Sequence, residues 1–363
     1  VSVFYTLALA QVPGIGALTA RALLAHFGNA EEVFKATAKH LCEVPGLGPK
    51  SASNILNFRD FDQVQAELDF INSYQIKTLQ FGDPDYPTRL AQCYDAPFLL
   101  FYRGNVDLNR QKVISIVGTR SATAYGKSLC EDLISGIKAH QPLVVSGLAY
   151  GIDVTAHKSC LSHQLDTLGV LAHGLDRMYP REHQAIARQM LQQGGLLSEF
   201  PSNTAPDREN FPKRNRIIAG LADATIVIEA HGKGGALITA ELANVYNRDV
   251  FAYPGRVDDE QSWGCNYLIK THRANLISQA SDLEYLLGWD STTRRKTTAT
   301  PISLTLSKDQ LQVYEIIRAH APIGIDELQL KTGIEQSLLT MIILELEMMA
   351  CVLTLPGKRY QLA

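Results

Sequence analysis

One stretch restricts the fold of this chain more than any other: Phe211 to Glu241, FPKRNRIIAGLADATIVIEAHGKGGALITAE. It carries a basic cluster (Lys213, Arg214, Arg216), an apolar helix-like run from Ile217 to Ala222, and a β-branched apolar run from Thr225 to Ile228. The last run, bounded by Asp223 and His231, reads as a central parallel strand buried on both faces. Gly232, Gly234 and Gly235 then let the backbone turn into a second helix. A strand, a tight glycine loop and a helix start place unpaired amide N–H groups above the strand end, where a phosphate fits.

The same alternation runs through residues 111–288. Val113 to Val117, Leu143 to Val145, Thr167 to Leu171, Thr225 to Ile228 and Val250 to Tyr253 are short apolar runs separated mostly by helix-length segments. The pattern predicts an α/β fold, an extended Rossmann-like parallel sheet whose ligands lie beyond the carboxyl ends of its strands. Val117-Gly-Thr-Arg-Ser121 follows the first strand and is neither GxGxxG nor a Walker sequence. Its one glycine and small hydroxyls make a phosphate-sized turn, with Arg120 free to reach out. Ser146-Gly-Leu-Ala-Tyr-Gly-Ile-Asp153 lacks the GxSxG pattern, so no nucleophile elbow is expected. Asp153 and His157 stand four apart on an expected helix, and a structural hydrogen bond between them is favoured over a catalytic or metal pair. The loops at His173 and Ser198 read as turn chemistry.

At 363 residues the chain is expected to hold two or three domains. In residues 1–66, Val12-Pro-Gly-Ile-Gly16 is echoed by Val44-Pro-Gly-Leu-Gly48, each running into a short helix. This reads as an all-α domain of paired helix-hairpin-helix motifs, open both to backbone DNA contact and to simple helix packing. Residues 67–110 form a lead-in to the core, with short strands at Ile76 to Phe81 and Phe98 to Tyr102, so the core with its lead-in spans 67–288. Residues 289–305 are Thr-rich and basic and read as a linker. In residues 306–363, helices over Leu311 to Ala319, Asp326 to Thr332 and Glu335 to Met349 precede a hairpin around Pro356-Gly357. That is a winged-helix layout. The would-be recognition helix carries Glu335, Glu345 and Glu347 and no Lys or Arg, which suits protein contact or packing better than duplex DNA. Lys358 and Arg359 in the wing keep DNA contact open.

A net charge of −3 excludes a bulk cationic field, so any nucleic acid must be held by a local patch. Six scattered cysteines without CxxC or metal spacing suit a reducing compartment and a cytoplasmic location, with no metal or cofactor expected. No run is long enough to span a bilayer, and the opening VSVFYTLALAQ reads as buried helix rather than a secretion signal.

VGTRSATAYG, VSGLAYGIDVTAH, GVLAHGLDRMYP, LSEFP, FPKRNRIIAGL, IVIEA, GGALITAELA and FAYPG with GCNYLI occur in that order over residues 84–280. As a set they resemble the DNA-processing protein A (DprA/Smf) family. The resemblance implies a non-enzymatic mediator that binds single-stranded DNA, protects it during natural transformation and loads the recombinase RecA on it. It also implies a homodimer formed through the Rossmann core, flanked by a SAM-like or helix-hairpin-helix domain and a winged helix. The implied strand-binding pocket falls on Gly118, Thr119, Arg120, Arg208, Phe211, Arg214, Asn215 and Arg216, closed by Gly234 and Gly235. Lys213 adds a point charge from the residue chemistry. Two roles are open to Phe211, stacking a base or anchoring the core. Arginines 214 and 216 have a structural alternative, pairing with Glu229 or Glu241.

The competing reading is an enzyme, because the core also resembles the LOG nucleotide phosphoribohydrolases. Those carry PGGxGTxxE on the same strand-loop-helix. Here His231 to Glu241 keeps two glycines, a threonine and a glutamate at altered spacing. A dinucleotide oxidoreductase is disfavoured because the first loop lacks GxGxxG.

Overall fold

A computed structural model describes residues 3–289, 306–349, 351–355 and 357–362. The linker expected over 289–305 lies outside the described residues apart from Trp289. The chain opens with six helices: α1 (Val3–Gln11), α2 (Ala17–Phe27), α3 (Ala30–Lys35), α4 (Ala38–Leu41), α5 (Pro49–Leu56) and α6 (Phe61–Ser73). Gly14 and Gly46 turn the two hairpins at φ 79° and 83°, the left-handed region that glycine alone enters freely. Asn54 Nδ2 donates to the Pro13 carbonyl at 2.8 Å, tying the second repeat to the first hairpin. Residue 66, expected to end this domain, falls inside α6. The next residue, Glu67, is buried and accepts from the Ser202 amide at 3.0 Å in a loop of the core. Leu7, Leu23, Val33, Leu41 and Ile55 pack in one cluster with Phe98, Leu99 and Phe101, so the helical part shares its core with the sheet edge.

The central region continues with β1 (Lys77–Gln80), α7 (Thr88–Ala91), β2 (Leu99–Gly104), β3 (Val113–Gly118), α8 (Ala124–Ile137), β4 (Leu143–Ser146), α9 (Ile152–Ser162), β5 (Thr167–Val170), α10 (Gln184–Met190) and β6 (Gly194–Ser198). It closes with α11 (Asn210–Leu221), β7 (Ala224–Ile228), α12 (Gly235–Val245), β8 (Asp249–Ala252), α13 (Trp263–Lys270), β9 (Asn275–Leu276) and α14 (Ala280–Leu286). The strands form one sheet in the order β1-β2-β6-β5-β4-β3-β7-β8-β9. Neighbours from β6 to β9 are parallel, and the lead-in supplies β1 and β2 as antiparallel strands at the edge. Fully buried runs such as ATIVI in β7 are covered on both faces, as a parallel sheet requires. From β3 the chain winds outward through β4 to β6, then crosses back to lay β7 on the other side of β3. That reversal opens a crevice above the carboxyl ends of β3 and β7. At the opposite end, buried Asp223 accepts from Arg89 Nε at 2.7 Å, Arg89 Nη2 at 2.8 Å and the Val113 amide at 3.2 Å, which clamps the feet of both strands.

The C-terminal unit holds α15 (Lys308–His320), β10 (Ile323–Gly324), α16 (Ile325–Thr332), α17 (Gln336–Met348), β11 (Val352–Leu355) and β12 (Arg359–Leu362). Its small sheet runs β10-β12-β11, which completes a winged helix. Gly333 ends α16 in the left-handed conformation, φ 68°. The wing meets the core: Arg359 Nη2 donates to Asp223 Oδ1 at 3.2 Å.

Candidate functional site

The loops after β3, β4 and β7, three adjacent strands, meet around a cavity of about 360 Å³. Gly118, Thr119 and Arg120 line it from the first loop, Ala149 from the second with Asp153 at the start of α9, and His231, Lys233, Gly234 and Gly235 from the third. Phe211, Arg214 and Asn215 reach it from α11.

The first loop is held rigidly. A side chain at Gly118 would lie 2.1 Å from the Ile228 carbonyl oxygen and 2.5 Å from Ile152, so only glycine fits between β7 and α9. The Thr119 amide donates to the Glu229 carbonyl at 2.7 Å, and the Glu229 carboxylate accepts from the Thr123 amide at 2.9 Å and from the Thr123 hydroxyl. Thr123 in turn caps α8 by accepting from the Gly126 amide at 3.1 Å. Arg120 is left exposed at the mouth, its guanidinium carbon 5.2 Å from the Phe211 ring centroid. In the third loop, Gly234 starts α12 in extended backbone with no side-chain cap. The first amides of that helix remain donors at a positive dipole end.

Arg214 lies at the base of the cavity, 4% exposed. Its Nη1 donates to the Val170 carbonyl at 2.9 Å, while Nε has no partner. A Cβ on Gly147 would fall 2.0 Å from Arg214 Nη1 and 2.3 Å from Asp153 Oδ2, so both groups crowd that glycine. Burial pushes the Asp153 carboxyl up and the Arg214 guanidinium down, each partly offset by the other charge, and Arg120 pushes Arg214 down further. Against this one carboxylate, the lining sets Arg120, Arg214 and Lys233. An under-neutralised buried cation beside free helix amides favours an anion. Asn215 Nδ2 donates to the Gly235 carbonyl at 3.2 Å and fixes α11 against α12.

Three residues expected at the pocket are not in its wall. Arg208 and Lys213 are exposed and outside its lining. Arg216 is turned away: Nη2 bonds the Glu199 carboxylate and Nη1 the Asp95 carbonyl at 2.5 Å. Positions two apart on a helix point about 200° apart, so Arg214 and Arg216 cannot face one cavity. The carboxylates named as structural partners are also corrected, since Glu229 holds Thr123 and Glu241 pairs with Arg273. The expected Asp153–His157 contact is replaced as well. His157 directs Nδ1 at the Thr167 hydroxyl, 2.7 Å away, and Nε2 at the Gly147 carbonyl, 2.5 Å away.

Sequence reasoning passed over Lys233 and Ala149, and an apolar alcove of about 20 Å³ beside the main cavity. The alcove shares Arg120, Ala149, Phe211 and Arg214 with it and adds Leu148, Leu171, His173 and Tyr179. Lys233 was detectable, standing between two loop glycines; the alcove draws on distant segments and leaves no local signal. Among the described residues no group of His, Cys, Asp and Glu could hold a metal ion, and all six cysteines are unpaired.

Residues 77–287, more than half of the chain, match the family model for DNA recombination-mediator protein A. The chain belongs to this family. For this family member, residues 6–58 match a SAM-like helix-hairpin-helix tandem and residues 297–358 the DprA winged helix domain. It is 39% identical over 282 residues to Protein Smf of Synechocystis sp., covering 76% of this chain and 70% of that protein. It is 40% identical over 201 residues to DNA processing protein DprA of Streptococcus pneumoniae, covering 55% and 71%. The solved structure of the Streptococcus pneumoniae DprA superposes with a TM-score of 0.69 at 31% identity, covering 78% of this chain and 97% of that one. DNA processing protein A from Helicobacter pylori, described for its single-stranded DNA binding mode, gives 0.54 at 28% identity over 60% of this chain and 97% of that one.

Proposed function

We propose that this family member binds single-stranded DNA by its backbone in the cavity between β3 and β7, without enzymatic turnover. The observation that carries the reading is the pairing of Arg120 with buried, under-neutralised Arg214 beside the uncapped start of α12. Amide donors and two guanidiniums hold phosphate irrespective of sequence, and Phe211 at the mouth offers a face for a base. The Helicobacter pylori relative, described for single-stranded DNA binding, supports the choice of ligand. Arg208 and Lys213 are assigned to steering the strand toward the mouth. The finer role is that of a cytoplasmic mediator that protects incoming DNA in natural transformation and loads RecA on it. A homodimer through the Rossmann core would thread one strand across two cavities. The phosphoribohydrolase reading is disfavoured because Glu241, its candidate acid, is outside the cavity lining and paired with Arg273.

RecA filament assembly on oligo-dT coated with single-strand binding protein tests this role. Faster assembly with the protein, and none with a duplex substrate, is expected. Release of base from a nucleoside monophosphate, with no effect on RecA, would move the cavity to the enzyme reading.

A further inference from the structure

The helix α17 is apolar on two opposite faces. Leu339, Ile342, Ile343 and Leu346 are buried in the winged-helix core. On the other side Leu338, Met341, Leu344 and Met348 recur every three or four residues and are 41%, 56%, 55% and 81% exposed with the whole described chain in place. A helix apolar all round belongs in an interior, and single exposed leucines are ordinary where a continuous stripe is not. Met supplies two of the four positions, and its flexible thioether adapts to a partner surface.

The edges of the stripe say what covers it. By helical spacing Glu345 flanks one side and Glu347 the other. Neither carboxylate is free to swing away: Glu345 accepts from Gln310 Nε2 at 2.7 Å and Glu347 from the Thr354 hydroxyl. Both sit near the helix C-terminus, where the macrodipole disfavours acids, and α17 has no Lys or Arg. Duplex DNA is therefore repelled. A second copy packed stripe to stripe would bury these carboxylates with no cation on either helix to pair them.

We propose that the outer face of α17 is a docking surface for another protein, which presents an amphipathic helix with an apolar stripe flanked by Lys or Arg. The winged helix then acts as a protein-recruiting arm on a DNA-holding core. The surface involves no residue of the cavity, so its test is independent of the DNA-binding reading.

The experiment places a photo-crosslinking amino acid at Met341 of the full-length protein in the cell that makes it, and maps the crosslinked residue by mass spectrometry. The expected product is a protein segment with helical apolar spacing and basic flanks, its yield falling about tenfold when Glu345→Lys and Glu347→Lys are combined. Amide hydrogen-exchange protection over residues 339–346 of that variant is expected to match the wild type, which reports that the winged helix is folded. A crosslink to a second copy of this chain, a crosslink to nucleic acid, no crosslink, or a yield indifferent to charge reversal would each overturn the proposal.

Discussion

Arg120 lies over the ring of Phe211, guanidinium carbon 5.2 Å from the centroid, although one belongs to the loop after β3 and the other to α11. The pair lines both the main cavity and the apolar alcove. On the proposed reading, a strand entering the cavity meets both groups at once, the cation with a phosphate and the ring with a base. Their contact also holds each in place before any strand arrives.

Phe211→Ala is expected to weaken oligo-dT binding by ~1–3 kcal/mol, the range of a lost base-stacking contact. Phe211 is only partly buried, so the unfolding midpoint should move little. Anisotropy titrations beside thermal melts check this. A large drop in melting temperature with unchanged affinity would return Phe211 to the core-anchor role.

Arg216→Ala is expected to behave differently. It strands the Glu199 carboxylate, whose Oε1 already lacks a partner, in a largely enclosed setting. The pair is 14% exposed on each side, and a carboxylate left unpaired there costs about 1–3 kcal/mol. Urea unfolding should show that loss, with oligo-dT affinity of the folded protein unaltered. Weaker binding at unchanged stability would put Arg216 back in the pocket.

How far the sequence carried these assignments differs between residues. Five core strands were placed to within one residue at each end, because β-branched runs buried on both faces have few alternatives. The three glycine loops were legible for the same reason, as Gly118 shows: its neighbours leave no room for a side chain. The antiparallel pairing of β1 and β2 onto β6 was not legible, since it is decided by which sheet edge the helical domain packs on. Arg214 and Arg216 look equivalent in the string RNR. Only the packing of α11 decides which of them turns to the cavity.

Stability should depend on pH through His157. Burial lowers its pKa from 6.5 to about 4. The unfolded chain takes up the proton below about 6.5, while the folded protein refuses it until about 4. Stability from this group is therefore full above pH 6.5 and declines as pH falls toward 4, by ~3 kcal/mol in all. His157→Gln, which keeps a donor and an acceptor, should flatten that part of the profile in denaturant titrations from pH 4 to 7. An unchanged profile would assign the slope to other groups.

The most direct test of the account is a salt series of oligo-dT binding by fluorescence anisotropy, wild type against Arg120→Ala, with the matching duplex as control. Single strand should bind far more tightly than duplex, with log affinity falling linearly in log salt. Arg120→Ala should reduce affinity about tenfold and lower the magnitude of the slope by about 1, the signature of one lost phosphate contact. Equal affinity and equal slope in the variant would contradict the assignment of this cavity to the DNA backbone.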